Sequence, residues 1–346
     1  MRAALYDSFR GPIRVENVDE LACPSDGAIV TVKANGVCRS DWHGWVGHDA
    51  DIRLPHVPGH ECTGEIIEVG RDVRRWRAGD RVALPFAGGC GQCGQCRTGA
   101  THICDDHVQP GFTYWGAFAE RVVAYHADVN LVRLPDAVEF VEGAALGCRF
   151  MTAYRGIVGV GGVRAGDWVA IHGLGGVGLS AVMIAAAAGA RVIGVDVERS
   201  ALQSAMDLGA EHVLNASAVD DVPGAIADLT KGGVQVSVDA LGHAETLWNS
   251  IACLAKRGTH VQIGLMADGG QAAAVPMGLV VGRELRIVGS HGMPNGDYAP
   301  MLGLIEAGIL NPAQLVRATV DLQGGIDTLV AMSDGSPPGI VVIDRF

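Results

Sequence analysis

Trp168-Val169-Ala170-Ile171-His172-Gly173-Leu174-Gly175-Gly176-Val177-Gly178 is the stretch whose reading decides the fold. Its first five residues are an apolar run that reads as a buried strand. The next six fit G-x-G-x-x-G. That pattern alone is weak in a chain with 49 glycines. Here it follows a strand and opens a helix near Gly178, which is the context a dinucleotide site needs. Gly173 permits the tight turn, Gly175 lets the backbone approach a pyrophosphate, and Gly178 allows close helix–sheet packing. Gly176 lies in the same run, and the amides at the helix start face phosphate charge. The following apolar segment, Leu179 to Ala190, is too short to span a bilayer and reads as a buried helix.

Working downstream, Arg191 to Val195 is the next strand, and Asp196 closes it about twenty residues after the first glycine, where a carboxylate can take both adenosine ribose hydroxyls. It would also repel a 2′-phosphate, by roughly 4 kcal/mol for unit charges about 4 Å apart at an effective dielectric near 20. That selects NAD over NADP. The alternative for Asp196 is a plain cap for the helix at Arg199 to Leu208, and Arg199 itself is a residue type that can bind a 2′-phosphate. Strand signals continue at Glu211 to Leu214, Val234 to Val238, His260 to Ile263 and Leu285 to Val288, with helical stretches between them. This alternation predicts a doubly wound α/β sheet over 150–290.

Upstream the pattern changes. Ala28 to Val32, Thr63 to Val69 and Arg81 to Leu84 are short strand-like runs broken by glycine and proline. Residues 1–149 therefore read as an irregular β-rich domain. The tail ends in the strand Ile340 to Ile343, and 291–346 is expected to return to that first domain, making the nucleotide domain an insertion.

Cys90, Cys93, Cys96 and Cys104 read C-x2-C-x2-C-x7-C within the β-rich part. Four thiolates this close can close a tetrahedral shell around one structural zinc. Iron–sulfur runs share the opening spacing but end in C-x3-C-P, whereas here seven residues precede Cys104 and Asp105 follows it. A closed structural site directs attention to an open one. Cys38, His60 and Cys148 supply the three-ligand count of a catalytic zinc.

Gly59-His60-Glu61-Cys62-Thr63-Gly64, continuing to Gly70 and Val73, resembles the zinc signature of the medium-chain alcohol dehydrogenases. Cys38-Arg39-Ser40-Asp41, the four-cysteine lobe, Leu146-Gly147-Cys148 and the glycine motif follow the same family order. The resemblance implies a GroES-like catalytic domain joined to a Rossmann domain, with two zinc ions per chain and NAD. It makes Cys38, His60 and Cys148 the catalytic-zinc ligands. Glu61 would swing in or stand behind them, and Asp41 would orient the histidine ligand. Ser40 would hydrogen-bond the substrate oxygen, and His43 would end a proton relay through the nicotinamide ribose. Ser40 as a helix N-cap and His43 as a surface histidine are the plain alternatives. Arg39 would meet the pyrophosphate, Thr152 and Val177 would pack near the nicotinamide, and Ile263 and Leu265 would lie along the coenzyme. Trp45, Phe86, Trp115 and Leu265 would line an apolar substrate pocket.

These residue types suit the chemistry. An alcohol must lose its proton before it releases a hydride, and zinc lowers the pKa of bound water from about 16 to about 7. The expected reaction is reversible hydride transfer between an alkyl or aromatic alcohol and NAD. The rival on the same scaffold is an NADPH-dependent aldehyde or ketone reductase, and a non-catalytic binding protein is a third possibility. Two departures from the family stand out. Its C-terminal Gly-Arg pair is Gly339-Ile340 here, after Pro338, and the glutamate of the polyol branch is Cys148.

Bulk properties agree with an enzyme of this kind. The 346 residues are 49% hydrophobic and 18% charged, which suits two well-packed domains. A formal net charge of -12 argues against nucleic acid or anionic membrane as partners. The opening residues Met1 to Asp7 read as a strand rather than a targeting peptide, and nine cysteines then suggest a reducing cytoplasm. By family analogy the chain is expected to form a homotetramer, with a dimer as the alternative.

Overall fold

The computed structural model describes residues 1–266, 274–335 and 339–346. Pro338 lies outside them. The chain forms two compact units. One takes Met1–Met151, the segment from Gly292, and Ile340–Phe346; the other takes Thr152–His291. Phe150 and Met151, expected in the nucleotide domain, stay with the first unit. Both are fully buried, and the Tyr298 hydroxyl meets the Met151 sulfur at 2.5 Å.

In the first unit a seven-stranded sheet carries the site. Ala28–Val37 is its central strand, antiparallel to Cys62–Val69 on one side and to the tail strand Ile340–Arg345 on the other. Arg121–Ala124 also pairs with it. Tail residue Val342 lies in register with Gly36, so the end of the chain is stitched beside the strand that leads into Cys38. Val30, Val32, Ile66, Val82 and Val122 fill the core on one face. Each fully buried side chain of this kind contributes roughly 1.5–3 kcal/mol.

The second unit is a six-stranded, wholly parallel sheet. Its spatial order is His212–Asn215, Arg191–Asp196, Trp168–His172, Val234–Asp239, Leu254–Gln262 and Arg286–Gly289. Numbered along the chain, this is the 3-2-1-4-5-6 order of a dinucleotide fold, with its switch point beside Trp168–His172. The helix after that strand is Gly176–Ala187, so it starts two residues before the expected Gly178. Gly178 to Ala185 are all buried, which explains why its sequence is apolar on every side.

Candidate active site

Cys38, His60 and Cys148 come from three separate elements. Cys38 leaves the central strand and is the N-cap of the helix Arg39–Trp45. His60 precedes the strand Cys62–Val69. Cys148 sits in a wide helical turn, Leu146–Phe150, where Gly147 departs from helical geometry. A Cβ on Gly147 would lie 2.5 Å from the Glu61 Cβ, so only glycine lets this turn close on the His60 segment. The three ligand atoms all lie within 4.8 Å of one another. A tetrahedron with arms of about 2.3 Å has edges of roughly 3.8 Å, so the spacing suits one zinc.

Asp41 fixes the histidine. One carboxylate oxygen, Oδ1, accepts from the Gly59 N–H at 2.9 Å and stands 2.8 Å from His60 Nδ1. The other accepts from the Cys38 N–H at 3.1 Å. Nδ1–H is thereby committed, and Nε2 is left as the lone-pair nitrogen. Among the described residues that buried Nε2 has no hydrogen-bond partner, which fits a nitrogen that binds a metal. The neighbouring Cys148 thiol draws the Cys38 pKa well down, and the Cys38 thiolate, with burial, holds Cys148 up. Phe86 and Phe112 stand edge-on to the His60 ring at 6.0 and 5.2 Å and keep water from it.

Glu61 is turned into a buried ion pair. Arg149 donates to its Oε1 from the backbone N–H at 3.2 Å and from Nε at 3.0 Å, and pairs with Oε2 through Nη2. Burial raises the Glu61 pKa and the Arg149 charge opposes the rise. Ser40 is not the N-cap, which is Cys38; its hydroxyl lies 3.8 Å from the Cys38 sulfur. His43 stands on the same helix, half-buried, with Nδ1 3.0 Å from His48 Nδ1. Burial and the Arg39 charge lower its pKa below the ordinary histidine value. Arg39 packs its guanidinium over Trp42 and donates to the Met332 carbonyl.

The second cluster is equally compact. The sulfurs of Cys90, Cys93, Cys96 and Cys104 all lie within 4.8 Å of one another. Backbone N–H groups point at them: Gln92 and Cys93 to Cys90 at 3.4 Å, Cys96 to Cys93 at 3.4 Å, Asp106 to Cys104 at 3.3 Å. The Cys96 N–H draws the Cys93 thiol down to about 6. Four converging sulfurs with N–H donors make a thiolate cage with no open position.

In the nucleotide unit Gly173 has φ +87° and Gly178 approaches so closely that a Cβ there would lie 1.8 Å from the Gly173 carbonyl. Gly175 caps the helix, and a Cβ added there would meet nothing within 4 Å, while Gly176 and Val177 form the first turn. Asp196 accepts from the Leu174 N–H at 2.6 Å and from the Val197 and Glu198 N–H groups at 2.7 and 2.9 Å. It thus ties the glycine loop to the end of its strand. Arg199 is exposed at the start of the next helix, Ile263 is half-buried, and Leu265 is 75% exposed. Thr152 is buried, and among the described residues its hydroxyl has no partner.

The expected substrate-pocket residues diverge. Phe86 faces His60 as described. Trp45 packs in a core cluster with Tyr6 and Phe118, its indole N–H donating to the Gly11 carbonyl at 2.9 Å. Trp115 is half-buried and donates to the Pro55 carbonyl at 2.9 Å. Sequence reasoning overlooked Arg149, Phe112 and His48. Only Arg149 carried a signal, a lone cation directly after a ligand cysteine.

Residues 24–136 match the family model described as the alcohol dehydrogenase GroES-like domain, and residues 176–307 match that of the zinc-binding dehydrogenases. The chain is 33% identical over 292 residues to an alcohol dehydrogenase of Geobacillus stearothermophilus, covering 84% of each chain. It is 34% identical over 335 residues to an NAD-dependent alcohol dehydrogenase of Sulfurisphaera tokodaii, covering 93% of this chain and 94% of that one. The solved structure of an alcohol dehydrogenase from Thermus sp. ATN1 superposes with a TM-score of 0.92 at 26% identity, over 100% of both chains.

Proposed function

The chain belongs to the zinc-dependent medium-chain dehydrogenase family, and from that premise we propose that it is an NAD-dependent alcohol dehydrogenase with two zinc ions. It interconverts alkyl or aromatic alcohols with aldehydes or ketones. The observation that carries this reading is the convergence of Cys38, His60 and Cys148 within 4.8 Å around an unpartnered His60 Nε2. Three ligands leave one tetrahedral position for a substrate oxygen. Zinc held there would act as a Lewis acid on that oxygen and lower its proton affinity.

The chain's own residues do the rest. Asp41 holds the ligand imidazole in the right tautomer, and Phe86 and Phe112 keep it dry. Ser40, beside Cys38, takes the alcohol proton and passes it toward His43, which its lowered pKa keeps neutral and able to accept. The amides of Gly175, Gly176 and Val177 bind the pyrophosphate. Asp196, already oriented by three N–H groups, favours ribose hydroxyls over a 2′-phosphate.

None of the nine cysteines forms a disulfide, and six of them are proposed zinc ligands, which supports a reducing cytoplasm as the location. The strand Arg286–Gly289 ends the parallel sheet, and the neighbouring helix exposes Met277 and Val281 at 57% and 75%. That open edge supports a homo-oligomer, tetramer or dimer. The test is reduction of NAD⁺ and NADP⁺ with primary, secondary and aromatic alcohols, on wild type and Cys38→Ala, with zinc counted in both. The expected result is NAD-linked turnover that disappears in Cys38→Ala together with one of two zincs. Turnover with NADPH and aldehydes alone would give the reductase reading instead.

A further inference from the structure

His43 and His48 face each other across the turn that ends the helix Arg39–Trp45. The His48 N–H donates to the His43 carbonyl at 2.9 Å, and the imidazoles meet Nδ1 to Nδ1 at 3.0 Å. Such a contact needs a single hydrogen: one Nδ1 must carry it and the other must be bare. The two rings differ in access, His43 being half-buried and His48 exposed. Both stand edge-on to Trp42, at 5.0 and 5.8 Å. Trp42 is itself fixed by its N–H to the Ser333 hydroxyl at 2.9 Å and by the Arg39 guanidinium 4.1 Å over its face. The pair is therefore seated on a rigid platform.

We propose that His48 is the outlet of a two-histidine proton wire. The inference rests on the alcohol dehydrogenase reading above, in which His43 takes a proton from the coenzyme side. In the starting state His43 carries its hydrogen on Nδ1, donated to the bare Nδ1 of His48, and presents a free Nε2. A proton arriving at His43 Nε2 displaces the Nδ1 proton onto His48 Nδ1. His48, now an imidazolium in contact with solvent, gives its Nε2 proton to water. One proton enters, one leaves, and no charge accumulates. Between turnovers, exchange of the two Nε2 protons with water restores the first tautomers. Burial and the Arg39 charge disfavour a lasting charge on the half-buried His43 ring, while the Cys38 sulfur favours one. His48 acts through His43 and is a positioning and transfer residue rather than one that touches substrate.

Two measurements on the full-length, zinc-loaded protein test this. First, ¹⁵N-histidine spectra near pH 8, assigned with His43→Gln and His48→Ala, should show His43 protonated on Nδ1 and His48 on Nε2. The opposite pair of tautomers would block proton entry at His43 and overturn the wire. Second, single turnovers in weak buffer should follow NADH by absorbance and the released proton by an indicator dye. In wild type the two signals should coincide. In His48→Ala proton release should lag by about tenfold, and added imidazole should restore it, as expected for loss of a general acid–base group. Proton release that keeps pace with NADH in His48→Ala would sink the proposal while leaving alcohol oxidation intact. Unchanged release in His43→Gln and Ser40→Ala as well would remove the relay itself. A wild type that forms no NADH from any alcohol refutes the functional reading, and the tautomers of the coenzyme-free protein still decide whether the wire's starting state exists.

Discussion

The Asp41 carboxylate stands 2.8 Å from Nδ1 of His60, and both side chains are sealed from solvent. Three residues depend on that carboxylate: His60 for its tautomer and the lone pair it offers to zinc, Gly59 for the start of its segment, and Cys38 for the N-cap of its helix. Asp41→Asn should weaken zinc binding at this site by about 10–100-fold. Asparagine has one acceptor oxygen where three N–H groups now point, so either His60 or Cys38 meets an N–H donor. Chelator competition on wild type and Asp41→Asn reads the change; equal affinities would mean that Asp41 does not set the ligand's tautomer.

Arg149→Met should destabilise the first unit by about 3–5 kcal/mol, because it strands the Glu61 carboxylate inside the fold. The pair is deeply buried, Glu61 fully and Arg149 at 8% exposure. Adding Glu61→Gln to Arg149→Met removes the stranded charge and should recover most of the loss, giving strong non-additivity in a double-mutant cycle. Urea unfolding of the four proteins at pH 7 measures it. Penalties that simply add would show that the charge pair is not the cause.

Acid should weaken the nucleotide unit through His172. This side chain is 1% exposed, and burial pushes its pKa down to about 3. The unfolded chain takes up the proton near pH 6.5. Between these values the unfolded state binds more protons, so stability is lost as pH falls, at up to about 1.4 kcal/mol per pH unit. By pH 5 the loss from this group should reach about 2 kcal/mol. Denaturation midpoints of His172→Leu should fall less between pH 7 and pH 5 than those of wild type; parallel slopes would contradict the assignment.

Gly178→Ala should disturb the coenzyme loop. The new Cβ would lie 1.8 Å from the Gly173 carbonyl, inside any possible contact. Helix and loop must separate, at a cost of about 1–3 kcal/mol. NADH fluorescence titration should show binding weakened by at least about tenfold, since 1.4 kcal/mol is a factor of ten. Unaltered binding would mean that the loop does not hold the pyrophosphate in this geometry.

Much of this was legible in the linear chain because it depends on local spacing. The glycine motif, the C-x2-C-x2-C run and the strand–helix alternation are short-range patterns, and the backbone reads them directly as a turn, a wrapping loop and a parallel sheet. Their limits show at element ends. The helix after the glycine loop starts at Gly176 rather than Gly178, because Gly175 already serves as its cap.

The long-range pairings were decided only in three dimensions. Trp45 looks like a pocket aromatic by position, yet packing against Tyr6 and Phe118 claims it for the core. Nothing in the linear chain pairs Arg149 with Glu61, yet 88 residues of separation close to a buried ion pair. His48 reads as a loop residue until the turn after Trp45 brings its ring to His43. Sequence by itself determined the family, the two-part fold and the ligand residues, since these rest on residue type at fixed spacing. Tertiary structure alone decided which groups are dry, which charges are paired and which imidazoles touch, since those depend on burial and on contacts between distant segments that spacing does not encode.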